Sequence, residues 1–127
     1  MKLSKSIILA DITAADSAIR DYENDHFSEM KGIAAFHLQQ AAEKLIKIQI
    51  YSISPEDEDN LRTHNILRLV VYADSMMSGI YIPKYIREKA PRITMWEASG
   101  RYYADFTVRI TSLKATLKTI KDWYNAV

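Results

Sequence analysis

The sequence predicts an all-α protein, an up-and-down bundle of four long helices with one or two short helices between the third and the last long one. Three observations carry this. Glycine and proline number only three each in 127 residues, so long stretches run without the breakers that a many-turned β fold needs. Apolar residues recur at steps of three and four in four separate segments, the period of a helix buried on one side. Hydrophobic residues make up 48% and charged residues 26% of the chain, a globular composition far from that of disordered chains. No repeat, low-complexity tract or linker divides the sequence, so residues 1–127 read as one domain with one core.

The first helix is expected from about Leu3 to Glu23, with Ile8, Ile12, Ala15, Ile19 and Tyr22 on one face. Residues 24–30 interrupt the pattern with cap-prone Asn, Asp and Ser. The second helix, about Glu29 to Ile53, carries the stripe Ala34, Leu38, Ala41, Leu45 and Ile48. Its alanines at 34, 35, 41 and 42 admit close approach of another helix. Pro55 and the acidic run Glu56-Asp57-Glu58-Asp59 form a loop; with neither Gly nor a cation-loop alternation of ligands, these carboxylates read as solvated charge.

Thr63 is the expected N-cap of a third helix reaching about Gly79, with Ile66, Leu69, Val70, Ala73, Met76 and Met77 as its apolar face. Pro83 and Pro91 each suit the first position of a short helix. The second of these, about Arg92 to Ser99, stops at Gly100, a good C′ residue. Residues 101–105 follow as a connector. The last helix, about Phe106 to Asn125, presents Ile110, Leu113, Leu117, Ile120 and Tyr124 at steps of three and four.

Several function classes fall away. There is no cysteine, which excludes disulfides, thiolate zinc sites and a Cys nucleophile. The three histidines, His26, His37 and His64, lack the i, i+4 spacing of a helical metal pair; no metal and no cofactor is expected. The apolar run Ile7 to Ala10 is interrupted by Asp11, too short for a signal peptide or a membrane span. The expected location is the cytoplasm, with no membrane partner. Residues 84–127 carry nine Lys and Arg against four acids, whereas residues 1–83 carry eight against twelve. A basic C-terminal third can attract polyanions, though it also suits an ordinary solvated helix face.

The second helix contains Ala35-Phe36-His37-Leu38-Gln39-Gln40-Ala41-Ala42-Glu43-Lys44-Leu45-Ile46-Lys47. Gln40, Glu43 and Lys47 share a strip beside the alanine face, and Gln40 can reach Lys44 and Glu43 can reach Lys47 as i, i+4 neighbours. The strip is either a solvated stripe or a polar row bordering a groove or subunit interface. The segment resembles the signature of the HEPN domain family, in which an aromatic residue and a His precede a Gln-Ala-x-Glu-Lys core and a second Lys. Thr63-His64 stands where the family often has Thr-His or Ser-His. Arg101-Tyr102-Tyr103 stands where many members have Arg-Tyr-Pro, here with Tyr in place of Pro.

The resemblance implies a prokaryotic helical module, often dimeric and often encoded with a minimal nucleotidyltransferase as partner or antitoxin. Members bind nucleotides or RNA, and several are metal-independent ribonuclease toxins. The ribonucleases carry Arg, four to six residues, then His near the start of the last long helix, and two copies share one site. There His activates the ribose 2′-hydroxyl and Arg stabilises the phosphorane. This sequence departs from that pattern, because no His follows Arg101. Arg20 and His26 have the spacing but lie at the end of the first helix, the wrong place.

The expectation is therefore a homodimeric binding module for RNA, a nucleotide or a nucleotidyltransferase partner. The alternatives are an endoribonuclease toxin of a toxin–antitoxin pair and a purely structural helical oligomer. Candidate ligand contacts are Arg101, Tyr102, Tyr103, Gln40, Glu43, Lys44, Lys47 and His64. Arg101 either binds phosphate or pairs with an acid such as Glu97, and the tyrosines either stack on a base or pack on the bundle.

Overall fold

The computed structural model describes residues 3–55, 59–76, 79–99 and 108–127. Five α-helices account for it: α1 Lys5–Asp25, α2 Glu29–Ile53, α3 Ile66–Ser75, α4 Lys84–Ser99 and α5 Ile110–Ala126, with a 3₁₀ turn at Asp59–Leu61. The described residues contain no strand, and none of their helices is long and apolar enough to cross a membrane. The fold is an all-α bundle, but its short helix sits elsewhere than expected. The long helices are α1, α2, α4 and α5, and the ten-residue α3 lies between the second and third of them.

Pro91 explains the difference. The two short helices expected after Pro83 and Pro91 are one continuous helix with Pro91 inside it. Proline removes the amide that would bond to the carbonyl of Arg87. The apolar face nevertheless runs through it unbroken: Ile86, Ala90, Ile93 and Trp96 are all buried. Pro91 points to solvent, and burial of that continuous face outweighs the lost bond.

The ends of α3 also moved. Its N-cap is Asn65, whose Oδ1 accepts from the Arg68 amide at 3.1 Å. Thr63 instead steadies the cap, its Oγ1 accepting from the Asn65 amide at 3.0 Å. The Ile66 amide donates to Thr94 Oγ1 at 2.9 Å, tying the start of α3 to α4. The other end stops at Ser75 rather than near Gly79, the Met76 amide closing a tighter turn on the Ala73 carbonyl at 3.2 Å. Arg87 then grips both Asp74 carboxylate oxygens, at 2.8 and 2.9 Å.

Helix α1 begins with Ser4 accepting from the Ile7 amide at 3.3 Å and ends where His26 enters the left-handed region at φ 58°. Helix α2 is the centre of the bundle and packs against all four others. Its expected bounds agree with the structure. Leu38, Ala41, Leu45, Leu113, Leu117 and Ile120 are all buried, while Ile48 and Tyr124 are only partly so. Trp123 fills the core near the end of α5 and donates its Nε1–H to the Tyr81 carbonyl at 2.9 Å. Lys5 donates to the carbonyls of Tyr124 and Val127 at 2.7 and 2.9 Å, closing the last turn of α5 with the first turn of α1.

Candidate functional site

A central helix must bury some of its own polar surface, and α2 does so at Gln39, Glu43 and Lys47, at 0, 4 and 6% exposure. An isolated buried charge is costly unless its hydrogen-bonding capacity is filled. Here it is filled. Glu43 Oε2 accepts from Lys47 Nζ at 2.8 Å. Its Oε1 accepts from Gln39 Nε2 at 3.0 Å and lies 2.9 Å from His64 Nδ1. Gln39 Nε2 also donates to the His64 carbonyl at 3.0 Å, and Gln39 Oε1 accepts from Gln40 at 2.7 Å. Among the described residues no buried side-chain nitrogen or oxygen lacks a partner.

The consequence is a fixed histidine. His64 is held by its ring through Glu43 and by its backbone through Gln39, while most of its side chain remains exposed. A carboxylate only accepts, so the Nδ1 proton points at Glu43 and Nε2 faces away from the core. On that outer side lies a pocket of about 490 Å³, lined by Asp59, Asn60, Arg62, Thr63, His64, Arg68 and Tyr72. A neutral His64 offers this pocket a lone pair, and a protonated one offers an N–H.

A second carboxylate cluster joins α1 to α2. Asp11 Oδ1 lies 2.9 Å from His37 Nδ1, and Oδ2 accepts from Lys44 Nζ at 2.6 Å. Burial alone would push the Asp11 carboxyl up, but hydrogen bonds from His37 and Lys44, aided by their charges, hold it below the usual carboxylate value. Among the described residues no three His, Asp or Glu side chains converge as a metal site would require.

A model of the HEPN domain matches residues 12–127. The chain belongs to the HEPN domain family. No curated protein and no solved structure matches it.

Within this HEPN domain the expected strip on α2 divides. Glu43 and Lys47 pair as their spacing implied, but the pair is buried, so the solvated-stripe reading fails for both. Gln40 bonds Gln39 rather than Lys44, and Lys44 crosses to Asp11. His64 joins Glu43, while Arg101, Tyr102 and Tyr103 lie outside the described residues. Arg20 pairs with Asp16 at 3.1 Å and His26 ends α1, so that pair belongs to the helix terminus.

Sequence reasoning did not name Asp11, His37, Gln39, Arg62 or Arg68 as site candidates, although His37 and Gln39 stand in the signature segment. Asp11 carried a signal: it sits within the apolar face formed by Ile8, Ile12 and Ala15, where a charge needs a buried partner. Charge excess proved a weaker guide. Lys84, Arg87, Lys114, Lys118 and Lys121 all face acids, at 2.8 to 3.7 Å, which blunts the basic character of the C-terminal third.

Proposed function

We propose that this HEPN domain is a cytoplasmic binding module, homodimeric, that engages RNA or a nucleotide, with a minimal nucleotidyltransferase as its protein partner. The observation that carries the reading is the Glu43–His64 pair. A buried, fully bonded carboxylate holds an exposed imidazole at the wall of a pocket that also contains two arginines. Such rigidity reduces the entropy lost when a ligand is gripped. The missing His after Arg101 argues against the family's ribonuclease chemistry. Arg101, Tyr102 and Tyr103 enter the same proposal as further phosphate and base contacts.

Titrating a labelled single-stranded RNA at low salt, with sedimentation run in parallel, tests this. His64→Ala should weaken binding about tenfold, the effect of losing one charge-assisted contact, and leave the helical spectrum unchanged. Unaltered affinity in a folded variant would remove His64 from the site, and a monomer at every concentration would remove the dimer.

The same pair favours a second reading, cleavage. Neutral His64, with its proton held toward Glu43, presents Nε2 as a base to a ribose hydroxyl. RNA cut in the presence of a chelator by the native domain, but not by His64→Ala, would replace the binding reading with this one.

A further inference from the structure

The pocket in front of His64 has a composition of its own. Arg62 and Arg68 both line it. Among the described residues the ion-pair partner of Arg62 is Asp59, at 3.8 Å between two highly exposed side chains, a pair that contributes little and exchanges readily. Among the described residues Arg68 has no carboxylate within ion-pairing distance. Its side chain projects from the first turn of α3, one turn before Tyr72, on the same side of the helix. Thr63 Oγ1 accepts from the Asn65 amide, which leaves its own O–H to donate.

We infer that this pocket is a phosphomonoester site, taking the terminal phosphate of a nucleotide or of an RNA end through Arg62, His64 and Arg68. The inference rests on the RNA or nucleotide reading above and narrows it. Two guanidinium forks, the Thr63 hydroxyl and a protonated His64 Nε2 make a donor set that exceeds the two free oxygens of an internal phosphodiester. It suits the three free oxygens of a terminal phosphate.

Asp59 is the one carboxylate among the described residues lining the pocket, and its pair with Arg62 must open for the guanidinium to turn to a phosphate. The volume of about 490 Å³ lies in the range of small-ligand sites and accommodates more than a bare phosphate. The Tyr72 ring provides a face for the attached sugar or base. His64 is the fixed member of the set, because the buried Glu43 holds its ring and the buried Gln39 its carbonyl.

The test compares one short RNA carrying a 5′-phosphate with the same RNA carrying a 5′-hydroxyl, both labelled at the 3′ end. A free nucleoside 5′-monophosphate serves as competitor. The phosphorylated RNA should bind about tenfold more tightly or better, the effect of one or two charge-assisted contacts. Arg62→Ala and Arg68→Ala, both at exposed positions that leave the fold intact, should each erase most of that advantage and leave the hydroxyl RNA nearly unaffected. Arg68→Lys should restore part of it.

Competition by the free monophosphate assigns the site to small nucleotides. Discrimination between the two RNAs without such competition assigns it to RNA ends, and either result supports a phosphomonoester site. Equal affinity for the two RNAs, weakened equally by the arginine variants, overturns the monoester inference while leaving RNA binding in place. Failure of all three probes to bind overturns both.

Discussion

Asp11 and Glu43 each meet a histidine Nδ1 at 2.9 Å through one carboxylate oxygen and a lysine through the other, at 2.6 and 2.8 Å. The contacts match, but the surroundings do not. Both partners of Asp11 come from α2, two helical turns apart on one face, so the cluster clamps one helix seam and its donors remain near water. Glu43 pairs along its own helix with Lys47 and reaches outside the regular elements for His64. The Lys47 side chain is 8% exposed against 21% for Lys44, and His64 is 58% exposed against 29% for His37. The same donor set therefore serves as a fastener where the histidine belongs to a helix. It serves as a mount where the histidine belongs to the segment leading into one.

Breaking the two carboxylates should show this unequally. Glu43→Ala leaves Lys47 charged and enclosed, and should cost about 3–5 kcal/mol, the usual loss when a buried ion pair keeps one partner. Asp11→Ala leaves His37 and Lys44, both partly exposed and able to turn toward solvent, and should cost about 1–3 kcal/mol. Chemical denaturation of the two variants measures both, and a reversed order would undo the contrast.

Acid sharpens it further. The folded Asp11 carboxyl is held below its ordinary value, so its contribution is complete above the unfolded value of about 3.9. That contribution is lost as pH falls through the lower folded value, which puts the sensitive window below about pH 4. Stability measured at neutral pH and again below that point should fall less steeply in Asp11→Asn than in the native chain. The smallest effect belongs to His64→Ala. Its ring is mostly in solvent and Glu43 retains Gln39 and Lys47, so thermal melting should register less than about 1 kcal/mol.

The core was legible because it is local. Leu38, Ala41 and Leu45 reveal their shared face by spacing alone, and the Glu43–Lys47 pair follows from the same period. Whether that pair is wet or dry depends on what covers it. The cover is the segment around His64, 21 positions from Glu43, which no local pattern encodes. Lys44 shows the same limit, its partner Asp11 lying 33 positions away on another helix. Pro91 misled for the opposite reason. Its local preference is strong, and only the buried run from Ile86 to Trp96 overrides it.

The bonds from Lys5 to the Tyr124 and Val127 carbonyls span 119 and 122 positions, the longest loop closures among the hydrogen bonds of the described residues, and entropy makes such closures slow to form. They also set the first turn of α1 beside the last turn of α5. Joining the termini with a short flexible linker and reopening the chain within a connecting segment should therefore give a circular permutant with the same helix packing. Reopened between α4 and α5, which keeps α1 next to its main packing partner α2 in the chain, it would have a lower relative contact order, and chains rich in near-neighbour contacts fold faster. The lysine that now bridges the whole chain would then act across a handful of residues.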